Sequence, residues 1–400
     1  MDLFNRWRSA GGRTMARLPQ ELVDQIIDHL HDDYPALTSC SLVSHAWRPS
    51  SLFHIFSRLS IKVTPSASPA DLCRRLYHLL TSSPAICAYI RELDVLEGSQ
   101  LGTQVAPHAV LAGSSQSVVW VTTDRTLPHI FRRLTHLRRL DFAAQSATIH
   151  WSRMPPSARR AVRHMLALPS LTHLRLAFWH FASPADLAAL LAHCTHLHAL
   201  TLANISFGPV PDRPATPPPP VLSDLEEEEH AAPGRRPRSR LRFLSVEHVN
   251  STTFGDWLLG PDSALDLSAL RELRVALFND AAFVRRLVAR AGPALQHFHF
   301  KMGESHPLPF DLHPNPSLST LKLTLEDAAH ALPWVPALLA RLPRANALTH
   351  VRLELYTPLA ALASSSHAAA WTALDAFFAR DAFASLRRVD IGLFALPTSA

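Results

Sequence analysis

Glycine is scarce, at 12 of 400 residues, and the chain contains no G-x-G-x-x-G, no G-x-x-x-x-G-K-[ST] and no G-x-S-x-G. The commonest phosphate cradles and hydrolase elbows therefore have no seat, because each needs glycine where the backbone turns tightly against its ligand. H-E-x-x-H is missing as well. Only four cysteines occur, Cys40, Cys73, Cys87 and Cys194, far apart and without C-x-x-C spacing or nearby histidines in a zinc pattern. That usage fits a reducing compartment with neither disulfides nor a structural metal. The first twenty residues lack the apolar run of roughly 7–15 residues that a signal peptide needs, and no later run approaches the ~18 that would span a membrane. The expectation is a protein of the cytoplasm or nucleus that does not cross a membrane. Neither sign of charge dominates, with 39 Lys and Arg against 33 Asp and Glu. An excess that mild does not by itself point to nucleic acid.

What is present is apolar: 47% hydrophobic residues and 18% charged, with a mean hydropathy of +0.04. Such a chain can bury a large core and reads as globular. Its length suits two or three domains of roughly 100–200 residues each, or one elongated repeat domain.

Residues 1–15 read as a flexible terminus, and structure is expected from residue 16. In RLPQELVDQIIDHL (17–30), Pro19 sits where a helix can begin, since its missing N–H costs nothing in the first turn. Glu21 and Asp24 face the positive end of the helix dipole. Leu22, Ile26 and Leu30 form one apolar row and Val23 and Ile27 an adjoining one, so the face is broad. After the polar break at His31–Asp33 comes a second apolar cluster, Leu37, Cys40, Leu42, Val43, Ala46 and Trp47, which Pro49 should stop or bend. A third group, Leu52, Phe53, Ile55, Phe56 and Leu59, runs into a strand-like Ile61–Val63. The sum is a small three-helix module over residues 16–60.

Leu18-Pro19-Gln20-Glu21-Leu22, Ile26-Ile27, Leu30, Cys40-Ser41-Leu42-Val43-Ser44 and Trp47, in that order, resemble the F-box pattern, in particular its fungal form. The chain departs from it in a slightly longer stretch between Leu30 and Trp47, and in His45-Ala46 where a basic residue often precedes the tryptophan. The resemblance implies docking on the Skp adaptor, and through it on a cullin, by Leu18, Pro19, Leu22, Ile26, Leu30, Leu42, Val43 and Trp47. The alternative is that these residues are only the core of the bundle, since periodicity does not distinguish an inward apolar face from an outward one.

From residue 87 onward an apolar triplet recurs: Ile90/Leu93/Val95, Leu137/Leu140/Phe142, Leu171/Leu174/Leu176, Leu197/Leu200/Leu202, Leu241/Leu244/Val246, Leu270/Leu273/Val275, Leu295/Phe298/Phe300, Leu318/Leu321/Leu323, Leu348/Val351/Leu353 and Leu386/Val389/Ile391. Thr-His-Leu recurs at 135–137, 172–174 and 195–197, and most triplets follow a helix-like segment such as SARRAVRHMLAL or DAAFVRRLVARA. One helix and one short strand cannot cover their own apolar face, whereas stacked neighbours share a continuous core. A strand after each helix, at spacings of about 23 to 47 residues, resembles an irregular leucine-rich repeat array. The asparagine or cysteine usual three positions past the last leucine of such repeats is absent: Trp179, Ile205, Val249 and Tyr356 are among its substitutes. The expected fold class is therefore α/β: a small helical F-box-like module, then an irregular leucine-rich-repeat solenoid with short parallel strands inside and helices outside.

Residues 208–240 combine a proline run, four glutamates and a basic cluster, and read as a disordered loop dividing the array into 61–207 and 241–394. Its end, with Arg235, Arg236, Arg238 and Arg240, admits a nuclear-import signal, a phosphoserine setting around Ser239, or a plain solvated charge run. Residues 98–118 are a second loop candidate.

Residues between the core positions of each strand point to the opposite face. In the later repeats these are Glu272, Arg274, His297, His299, Lys301, Lys322, His350, Arg352, Glu354, Arg388 and Asp390. The basic members and histidines, Arg274, His297, His299, Lys301, Lys322, His350, Arg352 and Arg388, are the candidate substrate-binding residues for an acidic or phosphorylated protein, with binding that tightens below about pH 6.5 as histidines charge. The alternative is a merely soluble face. His297 and His299 share a strand face, but two ligands do not make a metal site. No catalytic residue and no cofactor is assigned. The functional expectation is a non-catalytic substrate-recognition subunit of a Skp–cullin–F-box ubiquitin ligase. The alternative is a repeat scaffold for protein–protein interaction without ligase assembly.

Overall fold

The computed structural model describes residues 18–62, 68–98, 119–145, 147–209, 238–249, 251–261, 263–276, 281–302, 310–325, 334–343, 346–357 and 365–395. The flexible terminus expected at 1–15, most of the 98–118 loop and nearly all of the 208–240 loop lie outside them.

Three helices open the chain: α1 (Gln20–His29), α2 (Tyr34–Val43) and α3 (Arg48–Ser57). Pro19 stands at the N-cap of α1 and adds no donor to its first turn. Asp33 caps α2 by accepting from the Ala36 N–H at 2.9 Å. Pro49 does not stop α2, which ends at Val43; it occupies the first turn of α3, where proline is tolerated. Val23 and Ile27 of α1 and Leu37 of α2 form the buried centre of this module, with Leu30, Cys40, Trp47 and Ile55 packed around them.

Helix α3 passes into strand β1 (Arg58–Lys62) without an intervening residue. The boundary expected at residue 60 thus falls inside a strand, and that strand belongs to the large sheet. The other strands are β2 (Glu92–Glu97), β3 (Arg139–Ala144), β4 (Ile149–His150), β5 (His173–Phe181), β6 (Ala199–Phe207), β7 (Ser239–Arg240), β8 (Phe243–Glu247), β9 (Leu265–Asp266), β10 (Glu272–Ala276), β11 (His297–Lys301), β12 (Thr320–Leu325), β13 (His350–Thr357) and β14 (Arg388–Ala395). The sheet runs β1-β2-β3-β5-β6-β8-β10-β11-β12-β13-β14, strictly in chain order, with β4 attached to β5 and with β7 and β9 paired apart. Neighbouring strands are parallel throughout. Helices including α4 (Pro69–Ser82), Leu127–Arg133, Pro156–Leu166, Pro184–Leu191, Ala281–Ala291 and Ser365–Phe378 lie between successive strands, as parallel crossovers require.

The register stacks the expected triplets. Leu93, Leu140, Leu174 and Leu200 stand side by side, then Leu244, Leu273, Phe298, Leu321 and Val351. A second row two residues on includes Val95, Phe142, Leu176, Leu202 and Val246. Both rows are buried up to β13 and belong to one continuous core. In β14 they are not: Val389 and Ile391 are exposed.

Phe178, Asn204 and His248 take left-handed backbone angles, φ 60°, 53° and 47°. Each directly precedes one of the substitutes for the usual asparagine, Trp179, Ile205 and Val249, and these three are buried. The left-handed residue resets the alternation of the strand, so a large apolar side chain enters the core where the alternation alone would send it out. Trp179 then donates its Nε1–H to the Phe142 carbonyl at 2.9 Å and stacks on Phe181.

Candidate functional site

Two surfaces carry side chains without a structural reason to be where they are. The first is on the helical module. One of the two apolar rows of α1, Val23 and Ile27, faces α2 and α3, and the module is too thin to cover the other. Leu18, Leu22 and Ile26 are therefore exposed, and at the end of α2 so are Leu42 (82%) and Val43 (67%). Pro19 is exposed beside them. Of the residues expected to contact an adaptor, Leu30 and Trp47 are half-buried and pack against the module's own core. Sequence reasoning missed Tyr34, which is 61% exposed and was passed over beside the polar break, and Phe53, counted with the third apolar group but also exposed.

Polar clamps hold this surface in place. Asp24 accepts from the Ser50 hydroxyl of α3 and, at 2.8 Å, from Gln20 Nε2, and these bonds keep its carboxyl below the usual range. Gln20 Nε2 also donates to the Ala46 carbonyl at 3.0 Å. His54 of α3 meets Asp28 of α1 at 2.8 Å. The exposed apolar row thus sits on a helix tied to its neighbour by side chains from its other side.

The second surface is the sheet face turned away from the apolar rows. All eight candidate residues there come together on β10–β14. Arg274, His299, Lys322, Arg352 and Asp390 form one row; Glu272, His297, Thr320, His350 and Arg388 form another; Lys301, Thr324 and Glu354 a third. Five cations stand against three carboxylates on it. Most of the cations are already engaged. Glu354 accepts from Lys322 Nζ and Arg352 Nη2, each at 2.9 Å, and from the Thr324 hydroxyl at 3.1 Å. Burial would raise its carboxyl pKa, but the bonds and charges of these partners hold it low. Arg274 pairs with Glu272 and lies over the Phe243 ring at 5.1 Å. Arg388 and His350 both reach Asp390, at 2.8 and 2.9 Å.

His299 is an exception among the histidines of this face. Burial, then the positive charges of Lys322 and Arg274, push its pKa down to about 4, so it stays neutral well below pH 6.5. Its Nε2 lies 3.2 Å from Thr324 Oγ1, whose proton goes to Glu354, which makes Nε2 the donor. His297 and His299 do share the face of β11, and among the described residues no cluster of three metal-ligating side chains occurs.

On the first half of the same face an ion-pair ladder escaped sequence reasoning. Arg58 donates to Asp94 Oδ2 through Nε and Nη2 at 3.0 and 2.8 Å, and Arg175 reaches Asp141 at 2.9 Å. Glu97, at the end of β2, is buried and accepts from the Val121 N–H at 3.1 Å; burial raises its pKa despite that bond. Ser239, the candidate phosphoserine setting, has no exposed hydroxyl in this fold. It is fully buried and donates to the Cys194 carbonyl, because the end of the expected loop forms β7. Arg235 and Arg236 lie outside the described residues.

Residues 15–51 match the family model of the F-box domain, a segment that contains α1, α2 and the start of α3. No curated protein shows a significant match to the chain. Among the described residues no helix is long and apolar enough to cross a membrane.

Proposed function

Because the chain carries an F-box domain at residues 15–51, we propose that it is the substrate-recognition subunit of a Skp–cullin–F-box ubiquitin ligase. The observation that carries this reading is the apolar row Leu18, Leu22 and Ile26 with Leu42 and Val43, exposed on a module whose core is already filled by Val23, Ile27 and Leu37. Several large apolar side chains exposed on one small module mark a protein-docking face, and F-box domains generally dock on the Skp adaptor. Pro19 belongs to that face, whereas Leu30 and Trp47 support it from behind. The parallel sheet with its helices, read as an irregular leucine-rich repeat array, holds the target protein, with the polar face of β10–β14 as the contact surface for an acidic or phosphorylated segment. Arg274, His297, Lys301, Lys322, His350, Arg352 and Arg388 supply the donors there. The chain itself performs no chemistry in this role; transfer belongs to the assembled ligase.

Co-purification of the full chain with the Skp adaptor tests the proposal. Binding should be lost in the Leu22→Ala/Leu42→Ala variant while its far-UV circular dichroism stays that of the parent. Undiminished binding by the folded variant would sink it.

A second reading, a scaffold whose F-box domain only caps the array, draws on the continuity of α3 with β1 and on the burial of Ile61 in that strand. It predicts that the full chain fails to bind the adaptor at all, and that deleting residues 1–57 unfolds the sheet edge.

A further inference from the structure

The sheet has one covered end and one open end. Ile61 of β1 and Ile391 of β14 occupy the same row, and they differ sharply: 3% of the first is exposed and 46% of the second. At the β1 end Ile61 belongs to the continuous core, together with Cys73 and Leu80 of α4. At the β14 end Val389, Ile391 and Leu393 project from the core side with 37, 46 and 52% exposure, and no described strand pairs with the outer edge of β14. An unprotected edge of this kind, with apolar side chains and free backbone donors and acceptors, is a template for another strand.

We propose that the partner is a second copy of this chain, joined through antiparallel pairing of β14 with its equivalent about a twofold axis centred on Ile391. The strand is self-complementary in that arrangement. Directly opposed residues of an antiparallel pair share a face. With Ile391 opposite itself, Val389 meets Leu393, Asp390 meets Gly392 and Arg388 meets Phe394, so all three core-side apolar residues find apolar partners and the two arginines lie beside aromatic rings. The Phe394 ring is already stacked on Tyr356, with centroids 4.8 Å apart. A slip of one residue would set the apolar side of one strand against the polar side of the other. Slips of two or more shorten the overlap of an eight-residue strand. The axis is normal to the sheet, so both helical layers stay on one side and the cores become continuous. A twofold contact uses the β14 edge of both copies, so this pairing closes at two copies instead of propagating into a filament. The two F-box domains then stand at the far ends of one joined sheet.

Light scattering on the full chain after size exclusion, over a wide range of concentration, tests this. The mass should rise from 44.2 kDa to twice that value. Ile391→Lys brings two like charges together at the axis and should return the protein to a monomer with an unchanged circular dichroism spectrum. Ile391→Cys should form an intermolecular disulfide on mild oxidation, which Val389→Cys and the parent chain should not. A monomer at the highest concentration overturns the proposal. So does a dimer that survives Ile391→Lys and gives no Ile391→Cys cross-link, or a mass that grows beyond two copies.

Discussion

Leu22 and Val23 adjoin on α1, about 100° apart around the helix, yet the first is 45% exposed and the second, in the core of the module, 1%. Truncating exposed and core positions should therefore have opposite consequences. Leu22→Ala with Leu42→Ala should leave unfolding stability within roughly 0.5 kcal/mol of the parent, as surface changes do, while abolishing adaptor binding. Ile27→Ala, in the core, should cost about 2–5 kcal/mol. Chemical denaturation followed by circular dichroism, beside a pull-down, separates the two effects.

Glu354 is the acceptor shared by Lys322, Arg352 and Thr324 on three adjoining positions of β12 and β13. Glu354→Gln removes the charge and leaves two cations side by side. Both cations keep some contact with water, so the expected loss is nearer 1–2 kcal/mol than the ~3–5 of a fully buried broken pair. It should shrink as salt is added. Urea midpoints at low and high ionic strength report it, and a loss independent of salt would count against the electrostatic origin.

His150 and His299 both have pKa values pushed down to about 4, the first by burial and then by the charge of Arg153, the second by burial and then by Lys322 and Arg274. The native state holds fewer protons on them than the unfolded chain does. Their contribution is full above the ordinary value of 6.5 and is lost as the pH falls from there toward 4. Glu97, whose pKa is raised by burial, acts in the opposite sense and loses its contribution as the pH rises through its folded value. The His150→Asn/His299→Gln variant should show a smaller fall in Tm than the parent between pH 6.5 and 4. Parallel curves for parent and variant would show that neither histidine is held neutral.

Cys73 and Cys194 are buried, and burial raises both thiols to about 12. A thiol that stays protonated is a poor nucleophile. Alkylation of the native protein at mildly alkaline pH should modify Cys40 before Cys73 and Cys194, which should react only on unfolding. Mass mapping of the labelled peptides reads the order.

Much of this architecture was legible from periodicity. A two-residue alternation within each triplet placed Leu174 and Leu176 inside and Arg175 outside, and the same alternation collected Arg274, His299, Lys322 and Arg352 on one face. The ordered motif from Leu18 to Trp47 located the helical module. The remainder depended on features that leave no trace in apolar spacing. Left-handed φ is unexpected for a bulky residue such as Phe178, so the inward turn of Trp179 could not be foreseen. Which apolar row of α1 faces inward depends on where α2 and α3 lie, and that division put Val23 and Ile27 in the core and left Leu22 and Ile26 exposed. Ion pairing across strands, such as Arg58 with Asp94, joins residues 36 apart, a separation that no local pattern encodes.

The direct passage of α3 into β1 makes the sheet a ruler. In the proposed role no spacer would separate the adaptor-docking helices from the first strand, so the strand on which a target lands would set its distance from the ligase. Seven inter-strand steps separate β1 from β11 along the sheet, which at ~4.8 Å a step is roughly 34 Å. In that role a lysine on a target held at β11 would be presented at a fixed station, and the choice of strand would become a choice of which lysines are within reach. Inserting a flexible segment between Ser57 and Arg58 would blur that selection without touching either surface.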